Sequence, residues 1–122
     1  MPALRGHTGL SLAFLLLLLH AALATPVRMV ESFPAARAVM DGLNAQYFVR
    51  FDGLVDHRAS RLFITQEGHA VETLKPLLAA APQVLFASAP ALPPGGYELH
   101  WSARSIADGS VTEGSIPFTV RR

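Results

Sequence analysis

Few side chains in this sequence have the chemistry to hold a ligand: the loop Asp108-Gly109-Ser110, and the histidines His57, His69 and His100. Imidazole is the commonest protein donor to transition metals, and a carboxylate is a frequent oxygen donor beside it. His57 follows Asp56 in a loop after the alternating stretch that ends at Phe51, the most ligand-like setting of the three. His69 falls in the turn segment "QEGHA" and reads as exposed. His100 adjoins Trp101, so on a strand it points to the opposite face. Each histidine also has an ordinary reading as a surface or hydrogen-bonded side chain. Asp108 has one too, because an Asp-Gly pair before a strand is a common turn whose carboxylate accepts from nearby N–H groups. A site requires two such groups to converge, and spacing alone does not establish that.

Catalytic patterns are missing. The chain has no cysteine for a thiol nucleophile, no G-x-S-x-G elbow and no H-E-x-x-H. No pair of acids is spaced so as to single it out for acid–base work. The expectation is a binding protein and not an enzyme.

The ends and the charge narrow the class further. "MPALRGHTG" carries Arg5 and no acid, and "LSLAFLLLLLHAALA" (10–24) is an apolar run closing on Ala22-Leu23-Ala24. Basic start, short apolar stretch and small-x-small exit are the order of a secretory signal peptide, residues 1–24. A membrane span needs roughly 20 apolar residues, and this run is shorter and interrupted by His20. Cleavage leaves residues 25–122 as one domain, with no stable membrane insertion. Without Arg5 the basic and acidic side chains balance at nine each. They are interspersed, with no basic stripe to track phosphates, which argues against nucleic acid as a partner. An exported domain without disulfides rests on its hydrophobic core, a situation common in a bacterial periplasm.

The residues that could bind are set among short alternating segments. "VRMVESF" (27–33), "AQYFVRF" (45–51), "SRLFITQ" (60–66), "QVLFASA" (83–89), "YELHWSAR" (97–104) and "SIPFTVR" (115–121) have strand length and β-branched or aromatic content. Pro34, Pro76, Pro82, Pro90, Pro93 and Pro94 sit at the joints, whereas Pro117 lies inside a strand and suggests an edge or a bulge. "PAARAVMDGLNA" (34–45) has room for one helical turn at most, and "VETLKPLLAAAP" (71–82) for a short helix interrupted at Pro76. The architecture expected is all-β: about seven short strands in an immunoglobulin-like Greek-key sandwich or barrel. In "LPPGGY" (92–97) the two prolines fix φ and the two glycines permit positive φ at the reversal. The strand that follows carries Trp101, the single tryptophan and the expected centre of the core.

The order of these landmarks resembles that of the CopC-like family of small periplasmic copper-resistance domains. The similarity runs through Ser32-Phe33-Pro34-Ala35, the strand ending at Phe51, "LPPGGYELHW" (92–101), "DGSVTEG" (108–114) and "SIPFTV" (115–120). It implies a periplasmic, non-catalytic copper-binding or copper-homeostasis protein whose cofactor or cargo is Cu(II). It also implies a copper-handling inner-membrane protein as partner. The family's site, as the resemblance implies it, combines a histidine at the mature N-terminus with the aspartate and histidine of an Asp-Gly-His loop. Of these only the aspartate is matched, by Asp108; Ser110 stands at the loop histidine and Thr25-Pro26 at the N-terminus. Pro26 has no N–H, which removes the chelate of a terminal amine with a deprotonated second amide. The candidate metal ligands are therefore Asp108 and, as a substitute, His57. The alternative function is a metal-free interaction module on the same sandwich.

Overall fold

The computed structural model describes residues 26–43 and 46–122; the expected signal peptide, 1–24, lies outside them. The chain forms eight strands: β1 (Met29–Phe33), β2 (Ala38–Asp41), β3 (Gln46–Phe51), β4 (Arg61–Gln66), β5 (His69–Leu74), β6 (Val84–Ser88), β7 (Gly95–Arg104) and β8 (Val111–Arg121). They make two sheets, ordered β1-β3-β6 and β2-β8-β7-β4-β5. The all-β sandwich expected from the alternation is the fold observed.

Period-two patterning explains which side chains meet between the sheets. β3 turns Tyr47, Val49 and Phe51 inward, and β6 adds Leu85 and Ala87. From the larger sheet come Leu62 and Ile64 of β4, then Leu99, Trp101 and Ala103 of β7, then Ile116, Phe118 and Val120 of β8. Trp101 meets Phe51 edge-to-face across the sandwich at 5.1 Å, an arrangement favoured by the aromatic quadrupole. Opposite Trp101 on β8 stands Gly114. A Cβ built at Gly114 would lie 2.5 Å from the indole ring, so the ring occupies the space of the missing side chain.

Three local expectations change. The segment 71–82 does not begin as a helix. His69–Leu74 pairs antiparallel with β4 around a two-residue turn, Glu67-Gly68, at φ of 51° and 81°. Positive φ at both central residues matches the right-handed strand twist, and this hairpin outweighs the helical propensity of the apolar residues. In 34–45 the chain turns at Arg37, with φ of 65°, and then runs as β2 parallel to β8. That pairing is long-range and leaves no local pattern to read. At the reversal into β7, of the two glycines only Gly95, the strand's first residue, takes positive φ, 156°, where a Cβ would meet the Gln66 amide at 2.8 Å. The Tyr97 hydroxyl closes this reversal by donating to the Pro93 carbonyl at 2.6 Å.

Pro117 illustrates how an interior strand tolerates proline. β2 joins β8 only from Phe118 onward, so the side of Pro117 facing away from β7 is locally an edge. Its carbonyl there accepts from Arg37 N at 2.7 Å, and no ladder bond is lost for want of its N–H.

Two predictions follow from the core. Gly114→Ala should cost about 2 kcal/mol through overpacking against Trp101, read as a lower urea midpoint with a changed tryptophan emission. Tyr47 is 1 % exposed and its hydroxyl has no partner among the described residues; burial, with smaller contributions from Tyr97 and Glu72, raises its pKa above the ordinary 10.0. The folded chain thus favours the neutral phenol, and stability falls as pH rises past the unfolded-state value near 10. Tyr47→Phe should remove that part of the alkaline slope. At neutral pH it should leave stability unchanged or raise it by up to about 1 kcal/mol, as urea unfolding at several pH values will show.

Candidate metal centre

Three stretches of chain meet at one end of the sandwich. The first is Pro26–Arg28, tied to Asp52 by Arg28 N donating to Asp52 Oδ1 at 2.8 Å and by Asp52 N donating to Arg28 O at 2.9 Å. The second is the 52–55 loop, where Val55 bridges to Ser105 and Leu54 O accepts from Ile106 N at 3.0 Å. The third is the 105–110 connection between β7 and β8. A cavity of about 280 Å³ lies among them, lined by Pro26, Val27, Asp52, Leu54, Ser105 and Ala107 among others. The described chain therefore begins beside the loop that carries Asp108.

The loop is bonded to itself. Ser105 N donates to Ser110 O at 2.8 Å, Gly109 N donates to Ser105 O at 2.9 Å, and Gly109 takes the left-handed φ of 72°. Arg104 Nη1 holds the Gly109 carbonyl at 3.2 Å. Asp108 Oδ1 accepts both the Ser110 N–H, at 3.0 Å, and the Ser110 hydroxyl, at 2.7 Å. This is an Asx turn in which Ser110 supplies two donors to the carboxylate.

His57 is engaged elsewhere. Its Nε2 lies 2.8 Å from Val84 O and 3.1 Å from Ala81 O. Both are acceptors, so Nε2 carries the proton and the ring pins the 81–84 segment to the turn that Asp56 organises. Asp56 Oδ1 accepts from Arg58 N at 3.0 Å and Ala59 N at 3.2 Å. His69 is exposed at the start of β5. His100 lies on the outer face of its sheet but is half-covered, stacked on Phe63 and bonded to its neighbours. Among the described residues no three His, Cys, Asp or Glu side chains gather as a metal-binding group.

A family of CopC domains matches residues 29–121. The chain belongs to the CopC domain family. The crystal structure of CopC from Methylosinus trichosporium OB3b superposes with a TM-score of 0.70 at 29% identity, covering 78% of this chain and 93% of that one. An engineered protein shares the fold, with a TM-score of 0.53 and 22% identity over 80% of this chain and 20% of its own. No curated protein sequence matches at a significant level.

Measured against the CopC ligand set, the donors at this end do not fit Cu(II). That ion favours tetragonal nitrogen and oxygen ligation with imidazole as the chief donor, whereas the loop offers a carboxylate bonded to a serine and no imidazole. Asp52 is a second carboxylate at the same end that the sequence did not point to. It is committed to Arg28, and nothing in its local pattern separates it from an ordinary Asp-Gly turn.

His57→Ala should lower stability by about 1–2 kcal/mol, by removing the donor to two carbonyls. Faster amide exchange confined to residues 77–84 is the accompanying readout.

Proposed function

We propose that this chain is a non-catalytic, periplasmic CopC-family protein of copper resistance whose Asp108 loop has been retained for shape after losing its Cu(II) ligands. The observation that carries the reading is the closure of Asp108 Oδ1 onto the Ser110 N–H and hydroxyl, at 3.0 and 2.7 Å. A metal at Asp108 has to compete with both donors and finds no imidazole in the loop. Family membership supports the copper context, and the leader-like N-terminal pattern supports export. Among the described residues no helix is long and apolar enough to cross a membrane. A copper-handling inner-membrane protein is the partner this reading expects. Its role in this reading is that of carrier or accessory.

A second reading, a metal-free interaction domain, draws on one feature. Phe33, Phe48 and Phe86 lie in a single cross-strand row on the outer face of the β1-β3-β6 sheet. Phe33 and Phe48 stack at 6.3 Å, and Phe33 is 43% exposed.

The test is a Cu(II) titration of untagged Thr25–Arg122 followed by electron paramagnetic resonance, compared with Asp108→Ala. The described residues begin at Pro26, and an added N-terminal histidine would create a false site. Copper binding that is the same in both proteins is expected. A stoichiometric, nitrogen-rich signal that disappears in Asp108→Ala would show that the loop still holds the metal.

A further inference from the structure

We propose that His100 and Glu113 form a divalent transition-metal site on the outer face of the β2-β8-β7-β4-β5 sheet, with Cu(II) as its preferred ion. The inference takes its choice of metal from the copper reading above, but its geometry is independent of the Asp108 loop.

The alternation that sends Leu99 and Trp101 inward turns Glu98, His100 and Ser102 of β7 outward. On β8, Ser115 stands opposite His100 and Glu113 opposite Ser102; on β4, Phe63 stands opposite His100. Glu113 is therefore the diagonal cross-strand neighbour of His100. Diagonal neighbours lie about 7–8 Å apart at the backbone, within reach of long side chains. Both residues, with Phe63, Ser102 and Ser115, line a cavity of about 310 Å³.

The imidazole is already oriented. Its ring stacks on Phe63 with centroids 4.9 Å apart and an interplanar angle of 6°. His100 Nε2 lies 3.1 Å from Glu98 Oε2 and 3.0 Å from Thr65 Oγ1. A carboxylate can only accept, so the proton belongs on Nε2, and the neutral ring then keeps its lone pair on Nδ1. A carboxylate that holds one ring nitrogen while the other binds metal is the usual way of fixing a histidine ligand's tautomer and orientation. Of the three histidines after the leader, His100 alone has this arrangement: His57 is held by carbonyls, and His69 forms no ion pair among the described residues.

Glu113 makes no hydrogen bond or ion pair among the described residues. One imidazole nitrogen, one carboxylate and the Ser102 and Ser115 hydroxyls give a nitrogen–oxygen donor set, for which Cu(II) outranks the other divalent first-row ions. With two strong ligands the site keeps positions for water, which suits an ion that is handed on.

The experiment uses the same untagged Thr25–Arg122 chain with Cu(II), read by competition titration and by electron paramagnetic resonance. One-to-one binding with a single imidazole nitrogen in the spectrum is expected. His100→Gln should abolish that nitrogen signature, and Glu113→Gln should weaken binding about tenfold. Glu98→Gln, which touches no metal, should also weaken it by about tenfold or more, the usual effect of losing a ligand's outer partner. His57→Ala, His69→Ala and Asp108→Ala should leave the spectrum unchanged. Circular dichroism and the urea midpoint confirm folding of each variant; Glu113 is exposed, so Glu113→Gln keeps the test sound even if His100→Gln unfolds. A signal that survives His100→Gln, or that follows His57 or His69, overturns the proposal. Absence of Cu(II) binding overturns it while leaving the relic-loop reading in place. Loss in Asp108→Ala with no effect of His100→Gln overturns both.

Discussion

The indole of Trp101 lies where the side chain of any residue but glycine at position 114 would have to be, and much of the molecule is organised around that contact. It sits inside the longest ladder among the described residues, which runs from Gly95 opposite Val120 to Arg104 opposite Val111. Slipping one strand by a residue would set a Cβ into the ring and would also turn every inward side chain of β8 outward. The β7–β8 register is thereby specified twice, by steric fit and by burial. Because the register is fixed, so is the length of the connection between the strands, residues 105–110. The loop's place beside Pro26 and Leu54 is inherited from the core.

How far this could be read from the sequence depended on whether the information was local. Tyr47-Val49-Phe51 and Leu99-Trp101-Ala103 alternate so regularly that their inward facing, and with it the sandwich, was legible from period two alone. β2 was not, since four residues pairing parallel with the end of β8 have no signature apart from their partner. β5 was obscured by apolar residues that continue past it to Pro76. Its turn, Glu67-Gly68, reads in the sequence only as part of the turn segment "QEGHA" and not as a hairpin. β7 and β8, at 10 and 11 residues, are longer than the short strands expected, because Gly95-Gly96 and Gly114 lie within the ladder and do not bound it.

At the candidate site the same distinction holds. That the loop Asp108-Gly109-Ser110 holds a carboxylate and no imidazole is a matter of residue identity and could be read directly. The Asx turn was foreseeable as one of two roles for Asp108. The commitment of His57 to Ala81 and Val84 was not, for it depends on where a loop more than twenty residues away is brought by β6. Likewise the alternation of Glu98 and His100 is visible in the chain, but the diagonal placement of Glu113 emerges only from the register that Trp101 and Gly114 impose.

A metal loop can be expected to collapse when its ligands are lost only if the metal was what held it. Here the 105–110 connection is held by bonds that need no ion. The Ser105–Ser110 and Ser105–Gly109 backbone bonds close it, and the Arg104 guanidinium bonds the Gly109 carbonyl. The Ser110 hydroxyl bonds the loop's own carboxylate, Asp108. A hydroxyl and an N–H on a single carboxylate oxygen satisfy it about as well as water does, so the loop keeps its shape at little cost. Fold and ligand set are therefore separable in this domain. The hydrophobic contacts that define a CopC sandwich place a loop at its end whether or not the loop binds copper, and what the protein does with copper has to be argued from imidazole and carboxylate positions, not from the sandwich.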